Sequence, residues 1–215
     1  MIVTVAELAT NWLGNYEILE NMLQVCKKSG LATVKFQSLS KEKIDRHPEL
    51  DWYGKASVTE DNVEKINDIC HACGLVWFCT PFYKEAVDFL DDYVPFYKVS
   101  FAERNNTKLI DELLATGKKV IISTDKPMYD ISKEIFQVYC VPNYPTSFGD
   151  INFDMIKDMR GYSNHCMDPL ALLKAKRVGA EYIEFHMTAD SSRFAMDNKV
   201  SFNFGQVEEI MKWIK

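Results

Sequence analysis

Short β-rich apolar runs alternate with amphipathic stretches along the whole chain, and this alternation restricts the fold more than any other feature. Strands separated by helices are the pattern of βα units on a parallel sheet. Eight candidate strands can be placed, at Ile2–Leu8, Thr33–Ser38, Val76–Phe82, Phe96–Phe101, Lys119–Thr124, Gln137–Asn143, Gly161–His165 and Tyr182–Thr188. Helical periodicity falls between them at Tyr16–Ser29, Thr59–Cys73, Lys84–Asp91, Thr107–Thr116, Asn152–Met159 and Pro169–Val178, and Gly205–Ile214 closes the chain. Eight units favour an α/β architecture of the (β/α)8 TIM-barrel type over an open doubly wound sheet. Only a turn or two of helix fits between Thr124 and Gln137, so the fifth helix is expected to be vestigial. The charged segment from Ser38 to Val58 follows the second strand at the face where barrel enzymes keep their lids.

The chain has 215 residues, 47% of them hydrophobic, enough to fill one core, so residues 1–215 are read as a single barrel domain. A net charge of −6 with no basic stripe argues against nucleic acid or an anionic membrane as a partner. The first residues carry no cationic stretch followed by an apolar one, and no later run approaches membrane-spanning length, so a cytoplasmic location is expected. The six cysteines lie in apolar segments and read as reduced core thiols. Cys70 and Cys73 have C-x-x-C spacing within a helical pattern, but no second pair stands at zinc-site distance, so they too read as helix-face thiols.

Buried parallel strands should be almost continuously apolar, so a charge inside one needs a reason. Glu7, Lys35 and Lys98 are such charges. A buried Glu–Lys pair that merely fills the barrel would account for them, and would say nothing about chemistry. Against that stands their company: Gln37, Thr80, Glu103, Ser123, Tyr144, Ser163, His165 and His186 also fall near the C-terminal ends of different strands, the catalytic face of a barrel. His165 and His186 end neighbouring strands seven and eight. With strands about 4.8 Å apart, two inward imidazoles can reach one divalent ion at about 2.0–2.2 Å. Period-two alternation puts Ser163 on the inward face of His165, and Glu184 and Thr188 on that of His186. The two lysines, with nearby hydroxyls, suit a doubly anionic small substrate.

As an ordered set, several segments resemble the barrel domain of the sialic acid synthase family. They are Ala6-Glu7-Leu8 with Asn11 and Gly14, Val34 to Gln37, Cys79 to Phe82, Tyr97-Lys98 with Glu103, Ile122 to Thr124, Asn143 to Thr146, Gly161 to His165 and Glu184 to Thr188, with Asp197 and Ser201 after them. The family condenses phosphoenolpyruvate with an amino-sugar aldose. The resemblance implies that Lys35, Thr80, Lys98, Ser123 and Ser163 hold phosphoenolpyruvate, and that His165 and His186 bind a divalent metal, Mn2+ or Mg2+. Glu7 and Asp197 would be catalytic, with Glu7 handling the proton of water, and Gln37, Glu103 and Tyr144 would face the sugar. The family usually has His where this chain has Trp12, Ser at Phe101, Gly at Asp125 and Asn at Pro142. Its members usually continue into a small antifreeze-like domain that gives an arginine to the sugar site of a partner subunit. The sequence stops at Lys215, so the resemblance implies that this domain is lacking and that a homodimer partner or a separate capping chain would complete sugar recognition. Two functions follow as expectations: a synthase of this type, or an accessory barrel that binds phosphoenolpyruvate and metal with reduced or lost catalysis.

Overall fold

In a computed structural model that describes residues 2–129 and 131–214, eight parallel strands close into a barrel. They are β1 (Val3–Ala9), β2 (Thr33–Ser38), β3 (Val76–Pro81), β4 (Phe96–Val99), β5 (Lys119–Thr124), β6 (Ile135–Tyr139), β7 (Gly161–Asn164) and β8 (Tyr182–Met187). Closure is made by β1, which pairs with β2 on one side and β8 on the other. The register sets Glu7 opposite both Lys35 and His186, and Ser163 opposite Glu184, so the charges found in the sequence share one barrel interior.

Around the barrel lie α1 (Tyr16–Ser29), α4 (Val63–Ala72), α5 (Ala86–Leu90), α6 (Thr107–Ala115), α7 (Phe153–Met159), α8 (Leu170–Arg177) and α9 (Phe204–Ile214), with α2 (Lys41–Asp45) and α3 (Asp51–Lys55) in the segment after β2. Each long helix turns an apolar stripe inward; α1 buries Leu19, Met22, Leu23 and Cys26. Asn15 caps the start of α1 by accepting from the Glu17 and Ile18 amides, and left-handed Gly30 ends it. Among the described residues, no helix is long and apolar enough to cross a membrane, and all six cysteines are buried free thiols.

The differences from the sequence reading are local. No helix occupies the described residues between β5 and β6, so the vestigial fifth helix is reduced to irregular chain. Strand β6 starts at Ile135 rather than Gln137 and stops before Pro142, which cannot donate to a ladder. Phe101–Glu103 is a 3-10 turn instead of the end of β4, because the Ser100 hydroxyl accepts from the Glu103 amide and bends the chain. The segment after β2 folds into two five-residue helices and returns to its origin: the Val58 amide donates to Gln37 O at 2.9 Å, and the Leu39 amide to Ser57 Oγ at 2.8 Å. A two-residue strand, β9 (Ser201–Phe202), extends β8 on the side where β1 turns away.

Candidate active site

Strand β1 ends in a backbone distortion that builds the first part of the site. Ala9 has φ 44°, a left-handed conformation unfavourable for alanine, and the ladder to β2 shifts between Glu7 and Ala9. That bend turns the Ala9 amide back to donate to Glu7 Oε1 at 2.8 Å, while Glu7 Oε2 pairs with Lys35 Nζ at 2.7 Å. Just beyond, buried Asn11 donates to Met187 O at 2.7 Å and Ser201 Oγ at 2.9 Å, tying the β1 loop to β8 and β9.

Glu184 is the centre of the arrangement. Its Oε1 accepts from Lys35 at 2.8 Å, from Ser163 Oγ at 2.9 Å and from Lys98 at 3.4 Å, and its Oε2 accepts from the Tyr182 hydroxyl. Lys98 also donates to Ser123 Oγ at 2.7 Å. Two buried ammonium groups thus converge on one oxygen within a cavity of about 80 Å³, whose wall also includes Gln37, Thr80, Phe101, Cys140, His165 and His186. The Thr80 hydroxyl is buried there without a hydrogen-bond partner among the described residues.

Burial penalises each charge, and the neighbours decide the outcome. Burial pulls Lys35 down, but Glu184 and Glu7 more than offset it, holding Lys35 above the ordinary lysine range. Burial would likewise raise Glu184, yet Lys35 and Lys98 keep it well below the usual carboxylate range. Glu7 is pushed up to about 7 by burial, with Lys35 opposing and Glu184 reinforcing. Lys98 is lowered to about 8 by burial, against the pull of Glu184.

His165 and His186 stand together in the cavity wall with ring centroids 5.3 Å apart. Burial, with His186 adding its charge, lowers His165 to about 3; burial, with Lys35, lowers His186 to about 3. Both rings are therefore neutral near pH 7, the form that ligates metals. His186 Nδ1 is buried without a hydrogen-bond partner among the described residues and lies 3.8 Å from Asp197 Oδ2. Asp197, raised by burial, accepts from the Tyr144 hydroxyl, and the Tyr144 ring packs 4.8 Å from that of His165. Among the described residues, no cluster of three or more His, Cys, Asp or Glu side chains is arranged to hold a metal ion. What the chain offers a cation is two neutral imidazoles, one with an orphaned nitrogen; a divalent ion held there would complete its shell with substrate or water.

Lys35, Thr80, Lys98, Ser123, Ser163, Gln37, Glu7, His165 and His186 thus come together in one cavity wall, with Tyr144 and Asp197 linked beside the histidines. Glu103 stands apart, accepting from Asn106 Nδ2 at 2.9 Å at the start of α6. Trp12 is fully buried and packed 5.6 Å from Tyr16. Two residues of the cavity wall, Glu184 and Cys140, carry no site role in the sequence reading. A glutamate inside Tyr-Ile-Glu-Phe is as conspicuous as Lys35 in its strand, whereas Cys140 reads as a core thiol because its neighbours are apolar.

Comparison with known proteins gives the fold and the family. The sequence is 22% identical to the N-acetylneuraminate-9-phosphate synthase of Homo sapiens, over 98% of this chain and 68% of that protein. It is 24% identical to a pseudaminic acid synthase of Campylobacter jejuni, over 100% of this chain and 73% of the other. The fold is that of the sialic acid synthetase of Leptospira borgpetersenii, solved with citrate: TM-score 0.87 at 21% identity, covering 99% of this chain and 82% of that one. The family model described as NeuB matches residues 22–215, and the chain belongs to the NeuB family.

Proposed function

We propose that this barrel is a metal-dependent synthase that condenses phosphoenolpyruvate with an aldose, an amino sugar such as N-acetylmannosamine or a related hexosamine, giving a nonulosonic (sialic-type) acid and phosphate. The observation that carries the reading is the convergence of two buried lysines and the Ser123, Ser163 and Thr80 hydroxyls on one cavity beside a neutral histidine pair. Lys35, Lys98 and Ser163 already share one negative oxygen, so they are oriented for an anion, and Thr80 has a hydroxyl to spare. Glu184 keeps Lys35 charged and aimed. Mn2+ or Mg2+ held by His165 and His186 would supply electrophilic polarisation of the aldehyde oxygen. Glu7, held near neutrality, takes the proton of the water that adds to the phosphoenolpyruvate carbon. Asp197, bonded to Tyr144, faces the reacting aldehyde, and Gln37 and Tyr144 receive the sugar, without Glu103, which is bonded to Asn106 instead. Residues 1–215 work as one domain in this reading, and the substrates point to the cytoplasm.

The test is phosphate release from phosphoenolpyruvate by the purified chain with Mn2+ across a panel of hexosamine aldoses. Release that requires the aldose and disappears in Lys98→Met supports the reading; no release, beside an active full-length family member, contradicts it. Phe101, an aromatic wall where the family usually has Ser, favours a second reading: an accessory barrel that binds phosphoenolpyruvate without turnover. Calorimetric binding with no phosphate release would favour it.

A further inference from the structure

Cys140 follows β6 directly, is 1% exposed, and shares the cavity wall with His165. Its sulfur lies 3.7 Å from His165 Nδ1 and 3.7 Å from the Val141 carbonyl oxygen. A thiol has one hydrogen, and the carbonyl is an acceptor only, so a hydrogen bond on the Val141 contact uses the thiol hydrogen. With the thiol hydrogen there, the hydrogen on the Nδ1 contact comes from the imidazole. A neutral ring carries a single N–H, so placing it on Nδ1 leaves Nε2 as the bare lone pair. Tyr144, packed against the ring, limits its rotation. His186 has no such partner: its Nδ1 is without a hydrogen bond among the described residues.

We propose that Cys140 is a positioning residue that fixes His165 in its Nδ1–H tautomer and so presents Nε2 to a divalent cation. The cation half rests on the function proposed above; the tautomer half does not. Ligating histidines are commonly held by an outer partner on their second nitrogen, and here the thiol fills that place.

The metal-free full chain, with 15N-labelled histidine, gives the first readout. Long-range 1H–15N spectra should report one tautomer for His165, Nδ1–H, in the unsubstituted protein. Cys140→Ala should populate the Nε2–H form. An unchanged tautomer in Cys140→Ala, or Nε2–H in the unsubstituted protein, overturns the proposal. Co2+ titration gives the second readout: Cys140→Ala should weaken affinity by about 10–100-fold. A sulfur-to-cobalt charge-transfer band lost on substitution would make Cys140 a ligand instead, and would also overturn the proposal. Failure of the unsubstituted protein to bind Co2+, with the expected tautomers seen, would support the positioning role and remove the shared-ion part of the proposed function.

Discussion

Glu7 and Lys98 are the two groups that the barrel interior moves into the physiological range, to about 7 and about 8. If Glu7 must be ionised to accept a proton and Lys98 charged to hold the substrate, kcat/KM rises through about 7 and falls through about 8. Glu7→Gln should lose activity and Lys98→Arg should carry the alkaline limb upward; a flat profile from pH 6 to 9 would contradict these roles. Stability follows the same shifts with a definite sign. Glu7 has its folded value raised, so its contribution is present below its ordinary 4.5 and is lost as pH rises through about 7. Lys98 has its folded value depressed, so its contribution is present above 10.5 and is lost as pH falls through about 8. Both lysines could be read from the sequence because a charge within an apolar strand is conspicuous. Their partner Glu184 is equally conspicuous, but pairing it with Lys35 requires knowing which strands face each other across a closed barrel. Cys140 gives no sequence signal at all, because its meaning lies in a contact with a residue 25 positions away.

Among the elements, the loop after β1 and the two-helix segment after β2 depend on each other through Gly14. It has φ +69°, and a Cβ there would come 2.4 Å from Lys55 Cβ and 2.8 Å from the Lys55 carbonyl carbon. The C-terminal end of α3 therefore lies directly on this glycine. Gly14→Ala should cost about 1–2 kcal/mol for the left-handed backbone alone, with the clash adding to it. That corresponds to a drop of roughly 2–8 °C in Tm, and protease sensitivity should rise within residues 41–55. An unchanged Tm with an unchanged cleavage pattern would show that α3 does not need this approach. The eight strands and the long helices were legible because each spans enough residues to display its period. Helices α2 and α3, at five residues, and β9, at two, are too short for that. The bend at Ala9 was hidden for a different reason: nothing in Glu-Leu-Ala announces a left-handed alanine, which persists because its amide is held by Glu7.

For the whole molecule, closure of β1 against β8 does the functional work. It brings Glu7 and Lys35 from the first third of the chain against Ser163, Glu184 and His186 from the last, which no open sheet with β1 and β8 apart would do. The result is one cavity lined by Lys35, Lys98 and the His165–His186 pair. If the lysines and the histidine pair act on one pair of substrates, a crystal soaked with Mn2+ and phosphoenolpyruvate will hold both in this cavity. An anomalous manganese peak is expected at about 2.0–2.2 Å from a ring nitrogen of both His165 and His186, with the phosphoenolpyruvate anion contacting Lys35 and Lys98. Manganese bound elsewhere, or phosphoenolpyruvate bound away from those lysines, would contradict it.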